Sequence, residues 1–429
     1  MKILNEKWSF LIFVCLIGLW TPYCFAKDPT TIVFLTWKPN QPEVWNRLIK
    51  DFQRTNPAIR VKSQVGPHSS TQYHAIVTQR LKNKDTHMDV FFMDVIWPPE
   101  FANAGWCMDL TPLFPVNDQK KFLQGPIAAN TYREKIYGVP CYLGAGLFYF
   151  RKDLLHKYHF QPPKSWQEML DQGRTIITGE KEDSLYIYSG QFKQYEGLVC
   201  DMLEFIWSNG GSVIDQKTGR PTLDHPDVIN AVSFVRDRII GKAAPKGVIN
   251  YEEPESLDFF IQGKAVFHRN WPYAWSVANN PQKSKIAGKV DVGSLPAFAG
   301  FNSASALGGW QFGINKLSRY PQEAWRFVQH MTSHRAQKIL ALDAGLAPTR
   351  ISVYNDTDVQ KEMPHLKAFL PAFESARPRP LSPVYPMISQ ELQRFFSQAI
   401  VDKGSDISDL AKKASARIEK LFKLGAMIK

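Results

Sequence analysis

Cysteine is scarce and poorly placed for chemistry. The 429-residue chain has five cysteines, and only Cys107, Cys141 and Cys200 lie beyond the first 26 positions. Three thiols cannot all pair within one chain, so a single bridge with one free thiol, or three buried thiols, both stay open. No CxxC or Cys/His spacing of a zinc site occurs, and His156 with His159 is an ordinary solvated i, i+3 pair, so no metal is expected. Neither a P-loop nor a GxGxxG run is present, and no cofactor is expected. Basic residues form no run: the formal net charge is +12, but lysines and arginines are scattered, which argues against a nucleic-acid partner. Internal repeats and low-complexity tracts are missing too.

Long apolar runs are confined to the start, MKILNEKWSFLIFVCLIGLWTPYCFA. Lys2 and Lys7 precede about a dozen apolar residues from Phe10, too short for a membrane span, and Ala26 suits a cleavage position. Residues 1–26 are therefore expected to be a cleaved secretory signal. Cys15 follows Phe13 and Val14, and Cys24 follows Pro22 and Tyr23, so the small residues that precede an acylated cysteine are absent and no lipid anchor is expected.

What is present is strand and helix in strict turn. TIVFLTW (31–37) reads as a buried strand, and PEVWNRLIKDFQRTNP places Val44, Trp45, Leu48, Ile49 and Phe52 on one helical stripe. AIRVKSQVG, QYHAIVTQRLKNK and MDVFFM follow as strand, helix and strand, which predicts right-handed crossovers and a mainly parallel sheet. Ser165 suits the N-cap of a helix beginning at Trp166, and GLVCDMLEFIWSNGG reads as a helix closed by Gly210. KVDVGSLP and LGGWQFGIN read as strands, PQEAWRFVQHMTSHRAQKILAL as helix, and SARPRPLSPVYP as extended chain.

Several of these stretches resemble a known family. DFQRTNPAIRVK, FRKDLLHKYHFQPPKSWQEML, EGLVCDMLEFIWSNGGSVID and GKAVFHRNWPYAW are similar to the solute-binding proteins of bacterial ABC importers, the class of maltose-binding protein. DVIWPPEFANAGW, LGGWQFGIN and ARPRPLSPVY resemble its trehalose/maltose-binding branch, and the likeness covers about 31–400. It implies an α/β fold of two lobes (periplasmic-binding-protein-like, type II), each a mainly parallel sheet flanked by helices. Residues 27–140 with 293–344 would form the N-terminal lobe, and 141–292 with 345–429 the C-terminal lobe. Crossover hinge strands near 138–142, 292–296 and Ala344 would join them. A periplasmic monomer is implied that closes on a disaccharide such as trehalose or maltose and presents it to a membrane permease.

A pyranose offers C–H faces to aromatic rings and a rim of hydroxyls to polar groups. The resemblance gives such roles to Glu43, Asp94, Trp97, Tyr142, Trp271, Tyr273, Gly309, Trp310, Arg379 and Tyr385. Asp94 and Trp97 stand at the carboxyl end of a strand, where α/β folds gather ligands. Gly308 and Gly309 let another surface approach Trp310, Arg379 is a hydroxyl donor stiffened by prolines, and Tyr142 is expected on the second lobe. Trp275 is expected in the core. Where relatives resemble WxxDAG this chain has CYLGAG, so Gly144 replaces an acceptor aspartate and Cys141 a tryptophan. Two other functions fit the composition: a glycoside hydrolase, which needs two opposed carboxyls and here would lack the acid opposite Asp94, and a binding protein for a glycerol phosphodiester or other polyol, suggested by Arg377 and Arg379.

Overall fold

The computed structural model describes residues 28–39, 41–215 and 218–427, so the expected leader, with Cys15 and Cys24, lies outside the described residues. Strands β1 (Thr30–Thr36), β2 (Ile59–Val65) and β3 (Val90–Asp94) are joined by the helices Pro42–Thr55 and Ser70–Lys82. The first helix buries the five residues of the predicted stripe, Val44, Trp45, Leu48, Ile49 and Phe52, against the sheet. A short hairpin, β4 (Thr131–Tyr132) and β5 (Lys135–Ile136), precedes β6 (Val139–Ala145), β7 (Leu147–Arg151) and β8 (Tyr186–Ser189). Then come β9 (Ala265–Asn270), β10 (Val290–Gly293), β11 (Ser305–Ile314), β12 (Ala347–Pro348) and β13 (Ala376–Arg377).

Two main sheets result. The larger has the order β12-β6-β11-β3-β1-β2, with β13 against β11; the smaller runs β10-β7-β9-β8. β2, β1 and β3 are parallel, as helical crossovers require. β8 with β9 and β13 with β11 are parallel too, but the other pairs depart from the mainly parallel expectation: β11 is antiparallel to β3 and β6, β12 to β6, and β7 to both β9 and β10. The cause is connectivity, because these strands are not linked to their neighbours by helical crossovers and enter the sheets from the opposite end.

Each sheet has its own core. Phe34, Phe92, Phe312 and Phe327 interlock around the large one, with Phe34 and Phe92 centroids 5.2 Å apart. Around the small one, Trp166 lies 4.1 Å from Phe205, and the C-terminal helices Tyr385–Val401 and Ile407–Met427 add Leu392, Phe395 and Ile418. Trp275, expected in the core, is only partly buried: it packs against a further cluster on the other face of the small sheet, with Tyr149 and Phe369, and stacks on His365. The Ser165 side chain accepts from the Glu168 N–H as predicted, at 3.1 Å. The segment 321–344, read as one helical run, is two helices, Pro321–Met331 and His334–Ala344, because Ser333 caps a new start by accepting from the Ala336 N–H.

The chain leaves the large sheet for the small one at Gly146, between β6 and β7, and returns between β10 and β11. Gly146 has no room for a side chain: a Cβ there would lie 1.9 Å from Glu204 Oε1.

Candidate ligand-binding site

The prolines after β3 do more than end it. Pro98 and Pro99 occupy the first turn of a short helix, Pro98–Asn103, where a missing N–H costs nothing, with Trp97 as its cap residue. Asp94 is thereby left at the carboxyl end of β3. Strand register does the next step: Trp310 in β11 is paired with Asp94 on one side and with Tyr142 in β6 on the other, so three residues far apart in sequence form one row. Gly309, at φ +134°, takes a conformation other residues rarely adopt, and a Cβ there would meet Tyr142 O at 2.7 Å. This row floors a cavity of about 820 Å³, mouth included.

Arg379 lines the cavity and is 2% exposed. Its Nη2 donates to Asp94 Oδ1 at 2.6 Å and its Nη1 to Asp94 Oδ2 at 3.3 Å and Glu196 Oε1 at 2.8 Å. Glu196 opens the helix Glu196–Trp207, which packs on the small sheet, so one guanidinium bridges the two sides of the cavity. Glu196 also accepts from the Tyr385 hydroxyl at 2.6 Å and from Ser389 Oγ. Burial pushes the Asp94 carboxyl above its usual range while Arg379 pulls it back, and Glu196 adds a smaller upward push.

Trp271 also lines the cavity. Its Nε1 donates to Glu253 Oε1 at 3.1 Å, and the Arg269 guanidinium lies 4.1 Å from its ring centroid. The ring abuts glycine backbone: a Cβ on Gly308 would lie 2.8 Å from Trp271 Cζ3, and one on Gly144 3.3 Å from Cε3. Trp271 thus crowds the space that a side chain at position 144 would enter. Trp310 leans on Trp37 at 5.7 Å and 30°, and on the edges of Tyr73 and Trp97.

Four buried polar atoms on the lining residues complete no hydrogen bond within the protein: Trp37 Nε1, Tyr142 OH, Tyr273 OH and Arg379 Nε. Trp37 faces Tyr142, and Tyr273 faces Asn270, without good bonding geometry. All four can donate, and buried donors are seldom left so.

Of the residues singled out in the sequence, Asp94, Tyr142, Trp271, Tyr273, Gly309, Trp310 and Arg379 line this cavity. Tyr142 does so from β6 of the large sheet rather than from the other lobe, because β6 stays paired with β11 up to Ala145. Trp97 and Tyr385 stand behind it. Trp97 is 3% exposed, sandwiched by Tyr73 and Phe101, and supports Trp310; Tyr385 supports Glu196. Glu43 is exposed on the first turn of its helix, outside the lining, where the macrodipole alone explains an acid. Sequence reasoning missed Trp37, His68, Glu196 and Glu253, which all line the cavity. Glu196 and Glu253 stand across from Asp94 on helices of the small-sheet side, so the expectation of no opposing acid is overturned. Their one signal was an acid in the first turn of a helix, which an ordinary N-terminus shares. Among the described residues no cluster of three or more His, Cys, Asp or Glu side chains is arranged to hold a metal.

Comparison with known proteins agrees with this geometry. Residues 38–338 match the family model described as bacterial extracellular solute-binding protein. A probable ABC transporter-binding protein of Deinococcus radiodurans is 36% identical over 319 residues, 73% of this chain and 74% of that one. A maltotriose-binding protein of Pyrococcus abyssi is 23% identical over 91% of this chain and 82% of its own. Among solved structures, the maltose-bound MalE3 of T. maritima superposes with a TM-score of 0.86 at 35% identity, covering 91% of this chain and all of that one.

Proposed function

Because the chain belongs to the bacterial extracellular solute-binding proteins, we propose that it captures a neutral sugar, foremost a disaccharide such as maltose or trehalose, between its two lobes and hands it to an ABC permease. The observation that carries this is the set of donors without a protein partner, Trp37 Nε1, Tyr142 OH, Tyr273 OH and Arg379 Nε, on residues that line the same cavity as the rings of Trp271 and Trp310. Each buried unsatisfied donor costs about 1–3 kcal/mol, and the hydroxyl oxygens of a sugar would relieve that cost while its C–H faces lie on the rings. The likeness to a maltose-bound relative points the same way.

Charge favours a neutral ligand. Asp94, Glu196 and Glu253 line the cavity against Arg379 alone, with no lysine, so a phosphodiester would enter a field of its own sign. Catalysis has little support, because the Glu196 oxygens are already taken by Arg379, Tyr385 and Ser389, and Asp94 is held by Arg379. A hydrolase needs one carboxyl free to give a proton and one free to attack or activate water. The lobe division at 27–140 with 293–344 and 141–292 with 345–429 belongs to the same proposal, with the first crossing refined to Gly146 between β6 and β7 and the last moved beyond β12, which pairs with β6 in the large sheet. So do a periplasmic monomer with a cleaved leader and no lipid anchor, and the absence of a nucleic-acid partner.

The test is titration of intrinsic tryptophan fluorescence with maltose, trehalose and glycerophosphodiesters, followed by assay of the sugar samples for free glucose. Saturable change with a disaccharide and no glucose is expected. A response to phosphodiesters alone, or glucose release, refutes the proposal.

A further inference from the structure

Beneath Trp271, outside the cavity lining, lies a buried ion pair. Arg269 is fully buried, with its guanidinium carbon 4.1 Å from the Trp271 ring centroid. Its Nε and Nη2 donate to Glu204 Oε2 and Oε1 at 2.8 and 2.6 Å, its Nη1 to Gln191 Oε1 at 3.0 Å, and Asp201 Oδ1 is 3.2 Å from Nε. Glu204 is also engaged with the large sheet: its Oε1 accepts the Ala306 N–H of β11 at 2.9 Å. The same oxygen fills the place a Cβ would take at Gly146, where the chain crosses between the sheets. One carboxylate therefore touches the crossing, the start of β11 and the support of the ring.

We infer that Arg269 and Glu204 are positioning residues for ligand binding, holding Trp271 at the angle the ligand needs and tying that angle to the crossing between the lobes. The inference rests on the proposal that Trp271 is a sugar platform. A flat, desolvated cation under an indole attracts the ring face, and Arg269 can supply that attraction only while its fork is filled by Glu204 and Gln191. Asp201 gives Arg269 a second charge partner, so weakening Glu204 alone does not leave the cation unpaired. When β11 and the crossing shift as the lobes move, Glu204 moves with them, and the ring support follows.

The test is a double-mutant cycle on the full chain with maltose, read by calorimetry on protein shown to be folded by urea titration. Arg269→Lys keeps the charge and loses the plane; Glu204→Gln keeps the shape and weakens the pull, and replaces it should the lysine variant not fold. Each variant is expected to bind about tenfold more weakly than wild type. In a Trp271→Ala background the same substitution should add no further loss, because the ring it acts through is gone. Wild-type affinity in folded Arg269→Lys and Glu204→Gln, or an undiminished loss in the Trp271→Ala background, overturns the inference. Wild-type protein that binds no sugar at all refutes the proposed function instead, and Trp271→Ala binding like wild type removes the platform and this inference together.

Discussion

Replacing Arg379 by methionine isolates what holds the two sides of the cavity in register. The guanidinium is bidentate on Asp94 and reaches Glu196, and both carboxylates are 7% exposed. Methionine keeps much of the volume and leaves two buried anions without their cation, a change that costs about 3–5 kcal/mol. Against the roughly 5–15 kcal/mol of an ordinary folded protein this is a large share. It is measured by urea unfolding at pH 7 without sugar. Arg379 also pulls the Asp94 carboxyl down against burial, so in the variant that carboxyl rises further. A carboxyl raised above its unfolded value contributes stability that is complete below the unfolded value, about pH 4, and is lost as pH rises through the folded one. The deficit should therefore shrink when unfolding is repeated at pH 5. Adding Glu196→Gln to the variant should return part of the loss, since it removes one of the uncompensated charges. A loss below about 1 kcal/mol at pH 7, typical of a solvated pair, would show that water reaches the three groups and that they do not bridge the cavity in solution.

Three further outcomes follow from the geometry. Gly308→Ala drives a methyl against Trp271 Cζ3 at 2.8 Å, and because Glu253 and Arg269 hold that ring, about 1–3 kcal/mol of overpacking strain and a weaker sugar response are expected; an unchanged melting temperature and affinity would show the ring is free to move. His268 is buried with Nδ1 beside Ser189 O at 3.2 Å and Nε2 beside Asn270 Nδ2 at 3.0 Å, an arrangement that suits the neutral ring, and burial pulls it down to about 3. Its contribution is present above the unfolded value of about 6.5 and lost as pH falls toward 3, so unfolding midpoints should drop across that window and drop less in His268→Gln; equal slopes would refute this. Cys107, Cys141 and Cys200 are buried and unbridged, and burial raises their thiols, so a chain beginning at residue 27 should show no fast-reacting thiol when native and three in denaturant; a native reactive thiol, or fewer than three, would contradict the packing.

Much of the cavity was legible because its aromatic and glycine signals are local. Trp310 after two glycines and Trp271 before a proline announce themselves in a few residues, and both line the site. Trp97 and Tyr385 were equally conspicuous yet stand one layer back, since a string of residues carries no depth: whether a ring at a strand's end faces ligand or supports the ring that does depends on Tyr73 and Phe101 packed beside it. Glu196 was hidden for the opposite reason, being chemically unremarkable where it occurs and important only through Arg379, 183 residues away.

The sequence alone determined the alternating α/β plan, the apolar stripe of the first helix, the cap at Ser165, the family and most of the rings, because propensity, periodicity and turn chemistry act over a few neighbouring residues. Tertiary structure alone decided that both sheets are mixed, that Trp310 sits between Asp94 and Tyr142, that acids stand on both sides of the cavity, and that Trp271 rests on Arg269. Those facts depend on strand register and on charges meeting across the gap between two cores, and no local pattern encodes either until the chain has crossed at Gly146 and come back.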